Sequence, residues 1–216
     1  MTEQEAGLRA RLVSVGVDLV THEGAQALTL REIARRAGVS HGAPRRYFPT
    51  HLELLSAIAR EGFAELGAEV AGELRGGKGP ADGEEPADGE EPAGGEESGG
   101  VEASPRAQLA ALARIYVDFA LSHRGMYELM FRHDLLESNS LGLRETSLPL
   151  FNSLVELVSR VRPDVRAPDV AGALWANLHG IAQLWGWGSL QLATGADGVE
   201  PLVRAALDAH LGPEAR

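Results

Sequence analysis

The stretch Thr29–Phe48, TLREIARRAGVSHGAPRRYF, constrains what this chain can fold into more than any other part of it. Thr29 is a good helix N-cap, and Glu32 three residues on completes a capping box, so a helix is predicted to start at Leu30. Leu30, Ile33, Ala34 and Ala37 fall on its inward side. Gly38 supplies the left-handed backbone that ends it. Ser40 is expected to cap a second short helix running to about Tyr47. Small Ala34 and Ala37 let the two helices cross closely, with Val39 plugging the crossing from the turn, so the segment reads as a helix-turn-helix. A short second helix carrying adjacent Arg45 and Arg46 suits a solvent-facing position better than a core. It would project into a groove as wide as the major groove of DNA.

The charge distribution agrees with this. The chain's net charge of −11 would disfavour nucleic acid if it were spread evenly. Within Thr29–His51, however, Arg31, Arg35, Arg36, Arg45 and Arg46 face Glu32 alone, a net of +4. The acidity is concentrated in residues 76–104, where nine carboxylates accompany one lysine and the unit PADGEE recurs at Pro80–Glu85 and Pro86–Glu91, followed by PAGGEE at Pro92–Glu97. With almost no large apolar side chain, that stretch cannot offset its ordering entropy and is expected to be a disordered linker. It reads either as a tolerated insertion or as an acidic strip that competes with DNA or docks a partner.

Everything else reads helical. Leu8, Leu12, Val15 and Leu19 form the stripe of a first helix ending near Gly24. Thr50 caps a longer one with Leu52, Leu55, Ile58, Ala59, Phe63 and Leu66 on its buried side. Beyond the acidic stretch, Pro105 opens a helix bearing Leu109, Leu112, Ile115, Tyr116 and Phe119. A short segment at Gly125–Phe131 follows, then helices over Leu143–Val161, Asp169–Leu192 and Val199–Leu211. No segment alternates like a strand, so the fold class is all-α. The chain has no cysteine, which excludes a disulfide scaffold and thiol chemistry. No run approaches a membrane span, and the opening MTEQEAGLRA lacks the pattern of a secretory leader, so a cytoplasmic location without membrane association is expected. The common hydrolase, P-loop and dinucleotide fingerprints are absent and the seven histidines are scattered. No catalytic residue, metal site or cofactor is therefore expected.

Leu30, Ile33, Ala34, Ala37, Gly38, Val39, Ser40, Gly42, Tyr47 and Phe48 together resemble the pattern L-x-x-I-A-x-x-A-G-V-S-x-G-x-x-Y-x-Y-F of the TetR (tetracycline-repressor) family of bacterial regulators. The resemblance covers roughly residues 8–66. It implies a three-helix DNA-binding domain over 1–50, a connecting helix over 51–75, the acidic linker over 76–104, and a helical effector-binding and dimerisation domain over 105–216. It also implies roles for particular residues. Thr29, Ser40, Tyr47 and His51 would contact phosphate, His41, Gly42, Ala43 and Arg45 would face base edges, and Arg46 would do either. For Arg35 and Arg36 a phosphate role and a merely solvated position stand level. Three positions depart from the pattern. Pro44 is placed about four residues into its helix, where it would bend or tighten the start. Arg45 replaces a tyrosine, and His51 replaces a frequent lysine, so affinity for DNA is expected to rise in mild acid.

In the second half, LWANLHG at Leu174–Gly180 is similar to a Trp-x-x-x-His-Gly signature of one TetR-like C-terminal class. Trp175 and His179 share a helix face. His179 then either hydrogen-bonds an effector or is a core imidazole held by a carbonyl. A candidate pocket draws on Phe119, Met126, Met130, Asn152, Trp175, His179 and Gln183, and the lack of a dense charged lining favours a neutral or lipophilic ligand. The family's dimer, through its last two helices, would use Ala171, Leu174, Leu178, Ile181 and Leu184 with Leu202, Val203, Ala206, Leu207 and Ala209. A homodimer of such units implies a near-palindromic operator with half-sites about one turn, or a multiple, apart. The expected function is a transcription repressor released by a small molecule. The alternative is an effector-sensing or adaptor protein of the same fold that does not bind DNA.

Overall fold

A computed structural model describes residues 3–76 and 103–213; the expected acidic linker lies almost wholly outside these. Among the described residues there are eleven α-helices and no strand. The first four, α1 (Glu3–Glu23), α2 (Leu30–Arg36), α3 (Pro44–Tyr47) and α4 (His51–Arg75), contain the head and its continuation. The body follows as α5 (Pro105–Ser122), α6 (Arg124–Met130), α7 (His133–Ser138), α8 (Leu143–Val161), α9 (Ala167–Gly186), α10 (Ser189–Thr194) and α11 (Glu200–Leu211).

The predicted caps are present where the signal is local. Thr29 Oγ1 accepts from Glu32 N at 3.2 Å and Thr50 Oγ1 from Glu53 N at 3.1 Å. Ser104, expected to be the last residue of the linker, instead caps α5, its Oγ accepting from Ala107 N at 3.2 Å. Such a cap is worth about 1 kcal/mol each. Gly38 has φ +67°, as the end of α2 requires.

The second helix of the head differs from expectation. Ser40 makes no cap; its carbonyl instead accepts from Ala43 N at 2.9 Å and closes a turn, and α3 starts at Pro44. The reason is Pro44 itself, which lacks an N–H and has its φ preset, so it fits the first helical position and not the interior. Pro44 therefore ends no hydrogen bond inside a helix and bends nothing. Its ring is buried instead. The predicted helix Asp169–Leu192 is likewise two, because the chain breaks at Trp187–Gly188, where Gly188 has φ +77°. Helix α7 was not expected.

Helix α4 is the axis of the molecule. It packs against α1 in the head and against α5, α6 and α8 in the body. Leu54, Leu55, Ala57, Ile58, Ala59, Phe63, Leu66 and Val70 are all buried along it, and Leu52 is half-buried. Three close crossings fix its surroundings. A Cβ on Gly16 of α1 would stand 2.2 Å from Ile58 Cδ1, and one on Gly62 of α4 would stand 2.6 Å from both Met126 Cγ and Met130 Sδ of α6. One on Gly125 would stand 2.3 Å from the Val20 carbonyl oxygen of α1. Helix α6 is thus seated on α1 and α4 at once. No helix among the described residues is long and apolar enough to cross a membrane.

Candidate functional site

The nine residues read as DNA contacts run from the start of α2, through the turn and α3, to the start of α4. Thr29, Ser40, His41, Gly42, Arg45, Arg46 and His51 are exposed, and Ala43 and Tyr47 are half-buried. Phe48 is fully buried, and Arg9 of α1 lies over its ring with Cζ 4.9 Å from the centroid. That contact ties α1 to the end of α3.

The basic island splits into two parts. Arg35 Nη2 donates to Glu32 Oε1 at 2.5 Å, Arg36 Nε donates to the same oxygen at 2.8 Å, and Arg36 also pairs with Glu23 of α1. The hydrogen bonds from Arg35 and then Arg36 hold the Glu32 carboxyl down at about 2. These two arginines are neutralised locally. The guanidinium groups of Arg31, Arg45 and Arg46 make no side-chain hydrogen bond or ion pair among the described residues, so the uncompensated positive charge sits on α3 and at the start of α2. His51 is also committed: its Nε2 donates to the Leu28 carbonyl at 2.7 Å, which leaves Nδ1 for an outside partner.

A second feature lies in the body, where α4, α5, α8 and α9 and the residues after α6 line a partly open cavity of about 460 Å³. Phe63, Leu66 and Val70 form its α4 wall, Leu112 and Tyr116 its α5 wall, Leu150, Phe151 and Leu154 its α8 wall, and Trp175 and Leu178 its α9 wall, with Phe131 between. No charged side chain lines it. An ion would lose hydration there without compensation, so the cavity is chemically suited to a neutral, apolar guest.

Beside it runs a four-membered polar chain. Trp175 Nε1 donates to the Tyr116 hydroxyl at 3.0 Å, the Tyr116 and Tyr127 hydroxyls lie 2.9 Å apart, and they stand 2.9 Å and 2.6 Å from His179 Nδ1. Burial pushes both tyrosine hydroxyls upward and His179 downward, so the imidazole is neutral near pH 7. His179 is therefore held by side-chain hydroxyls and not by a carbonyl.

Of the seven residues expected around an effector, Trp175 lines the cavity and His179 stands behind it, 6.0 Å from the Trp175 ring centroid and 5.1 Å from that of Phe131. The other five lie elsewhere. Phe119 is buried and stacks on His123 at 4.7 Å, Met126 and Met130 fill the crossing at Gly62, and Asn152 is exposed on α8. Gln183 lines a separate hollow of about 140 Å³ with Arg124 and Tyr127. Tyr116, Phe131 and the α4 residues Phe63, Leu66 and Val70 are among the lining positions missing from the expected set, which shares only Trp175 with the lining. Their sequence signal was only helical apolar spacing, which core residues share.

A helix-turn-helix head carried on a helical body with an apolar cavity defines a two-part regulator. The comparisons agree. Residues 12–58 match "Bacterial regulatory proteins, tetR family", and residues 109–210 match "Tetracyclin repressor-like, C-terminal domain". No curated protein matches. Among solved structures, a protein of unknown function from Rhodococcus sp. RHA1 is 28% identical, with TM-score 0.71 over 94% of this chain and 93% of that one. The TetR transcriptional regulator SCO0520 from Streptomyces coelicolor is 25% identical, with TM-score 0.51 over 96% and 99%. RolR, solved in complex with resorcinol, is 20% identical, with TM-score 0.59 over 96% and 89%, and shares the fold. The chain belongs to the TetR family, whose members are DNA-binding transcription regulators.

Proposed function

We propose that this protein is a dimeric repressor that holds a near-palindromic operator through α2 and α3 and is released by a small apolar molecule in the body cavity. The observation that carries the reading is the continuity of α4. Its first residue is hydrogen-bonded to the head through His51 and Leu28, and its later residues Phe63, Leu66 and Val70 form one wall of the cavity. At a rise of 1.5 Å per residue, the 20 residues from His51 to Val70 span about 28 Å without a break. A guest that prefers one position of that wall therefore biases the position of the head. It can do so only by its differential affinity for the two states.

In this reading Arg45 and Arg46 supply the charge that phosphate and guanine edges attract, Tyr47 and Ser40 position the backbone, and Gly42 and Ala43 allow close approach to the bases. As an imidazolium, His51 donates Nδ1–H to a phosphate while Nε2–H keeps the Leu28 carbonyl, and Thr29 stands at the start of α2. Trp175, His179 and Gly180 are the marks of the C-terminal class, with His179 serving the cavity through Tyr116.

The dimer face needs a different set of residues from the one periodicity suggests. Ala171, Leu174, Leu178, Val203, Ala206 and Leu207 are buried inside the protomer. The exposed sides carry Ala173, Ala176, Leu184 and Trp187 on α9 or just after it, and Pro201, Ala205 and Ala209 on α11. Leu184 and Trp187 are 39% and 62% exposed, which is unusual enough for large apolar side chains to mark a covered surface. We place the twofold partner there.

The neutralised pair Arg35 and Arg36 favours one second reading, a sensor of the same fold that no longer binds DNA. Selection from random duplexes followed by gel shift separates the two. The repressor reading expects an enriched near-palindrome whose binding weakens steeply with salt and is reduced at least tenfold by Arg45→Ala or Tyr47→Ala at unchanged melting temperature. Recovery of no preferred sequence would contradict it.

A further inference from the structure

The cavity wall carries nitrogen or oxygen on only three of its lining side chains, Tyr116, Ser147 and Trp175. Each already has its proton committed. Ser147 Oγ donates to the Arg144 carbonyl at 3.3 Å, and Trp175 Nε1 donates to the Tyr116 hydroxyl at 3.0 Å. The fate of the Tyr116 proton follows from counting along the polar chain. If His179 Nδ1 accepts, the Tyr127 hydroxyl donates to it at 2.6 Å and the Tyr116 hydroxyl donates to Tyr127 at 2.9 Å, so every proton has a partner. The imidazole proton then sits on Nε2 of a ring that is only half-buried. In the opposite tautomer Nδ1 donates to Tyr127, Tyr127 donates to Tyr116, and the Tyr116 proton is stranded beside an apolar cavity. An unmet buried donor is costly, so the first arrangement prevails.

Resting on the reading of this cavity as the effector site, we infer that its ligand is a neutral hydrogen-bond donor, an alcohol, phenol or similar group on an apolar frame. What the wall has left to give is lone pairs, on Ser147 Oγ and the second one on the Tyr116 oxygen, whose first receives the Trp175 N–H. A ketone or ether would bring a lone pair to a lone pair, and a carboxylate or ammonium would bring an unpaired charge. His179 is a positioning residue in this scheme. It never touches the ligand, but as the terminal acceptor it draws the protons of both tyrosines away from the cavity.

Isosteric probe pairs test the inference by calorimetry on the full chain. para-Phenylphenol is compared with para-methylbiphenyl, and para-methoxybiphenyl with para-ethylbiphenyl. The phenol is expected to bind about fivefold tighter than its methyl isostere, the ether no tighter than its ethyl isostere, and biphenyl carboxylate not at all. Tyr116→Phe should bring the phenol ratio to about one. His179→Leu frees a proton, so it should raise the ether several-fold relative to para-ethylbiphenyl, a change in ratio that a general loss of packing would not produce. Tyr127→Phe should keep the wild-type ratios, because Tyr116 can then donate to His179 directly. An ether favoured over its isostere in the wild type, or a phenol ratio unmoved by Tyr116→Phe, would overturn the donor rule while leaving the cavity a ligand site. If none of the neutral probes binds, the effector reading falls and the donor rule falls with it.

Discussion

At the scale of single residues, sequence signals were legible where the physics is local. A cap needs only a hydroxyl and an N–H three residues on, so Thr29 and Thr50 could be read directly, while the same geometry at Ser104 was hidden by its acidic, glycine-rich neighbours. Ser40 failed as a cap because Pro44 fits best as the first residue of α3, a competition that a single-residue preference does not weigh. His179 was read as pocket or core and is neither simply. Its partners Tyr116 and Tyr127 come from helices 63 and 52 residues away in sequence, which no spacing rule connects. The consequence is a pH dependence. Burial lowers the His179 pKa in the folded state, so the unfolded chain binds a proton first as pH falls. Stability from this group is complete above the unfolded value of about 6.5 and is lost as pH drops through the folded value. Thermal melts between neutral pH and about 5 should show this loss, and His179→Leu should flatten it. The Glu32 ion pairs titrate far lower, since that carboxyl is held at about 2, and do not overlap this window.

At the scale of elements, helix positions were largely legible and helix partners were not. Apolar recurrence placed α1, α2, α4, α5, α8 and α11 close to where they lie, since a helix must bury one face whatever meets it. The same recurrence says nothing about whether the face meets its own protomer or another. That is why Leu174, Leu178 and Val203 read as dimer residues and are internal core. Glycines at crossings were illegible for a similar reason, because their value depends on an element distant in sequence. Gly125 faces the Val20 carbonyl, which is backbone and cannot move aside, whereas Gly62 faces flexible methionine side chains. Gly125→Ala should therefore destabilise by about 2–3 kcal/mol and Gly62→Ala by about 1 kcal/mol, as measured by denaturant unfolding. The reverse order would mean that α6 is not seated on α1 as described.

At the scale of the whole molecule, the all-α class and the two-part plan could be read from the sequence, while the cavity could not. Five helices and a connecting residue converge on it, and each contributes side chains indistinguishable from core until they are found to leave a space. Association belongs to this scale too. Leu184→Glu places a charge on the exposed side of α9, so sedimentation should show a dimer for the wild type and a monomer for the variant, with its melting transition retained. A monomeric wild type would remove the basis for a twofold operator. The central claim is that the cavity and the head are one coupled system through α4. Its most direct test is the anisotropy of a labelled, selected operator titrated with protein, with and without a neutral probe shown by calorimetry to fill the cavity. The coupling predicts an operator affinity at least tenfold weaker with the cavity filled; an affinity unchanged at full occupancy would contradict it.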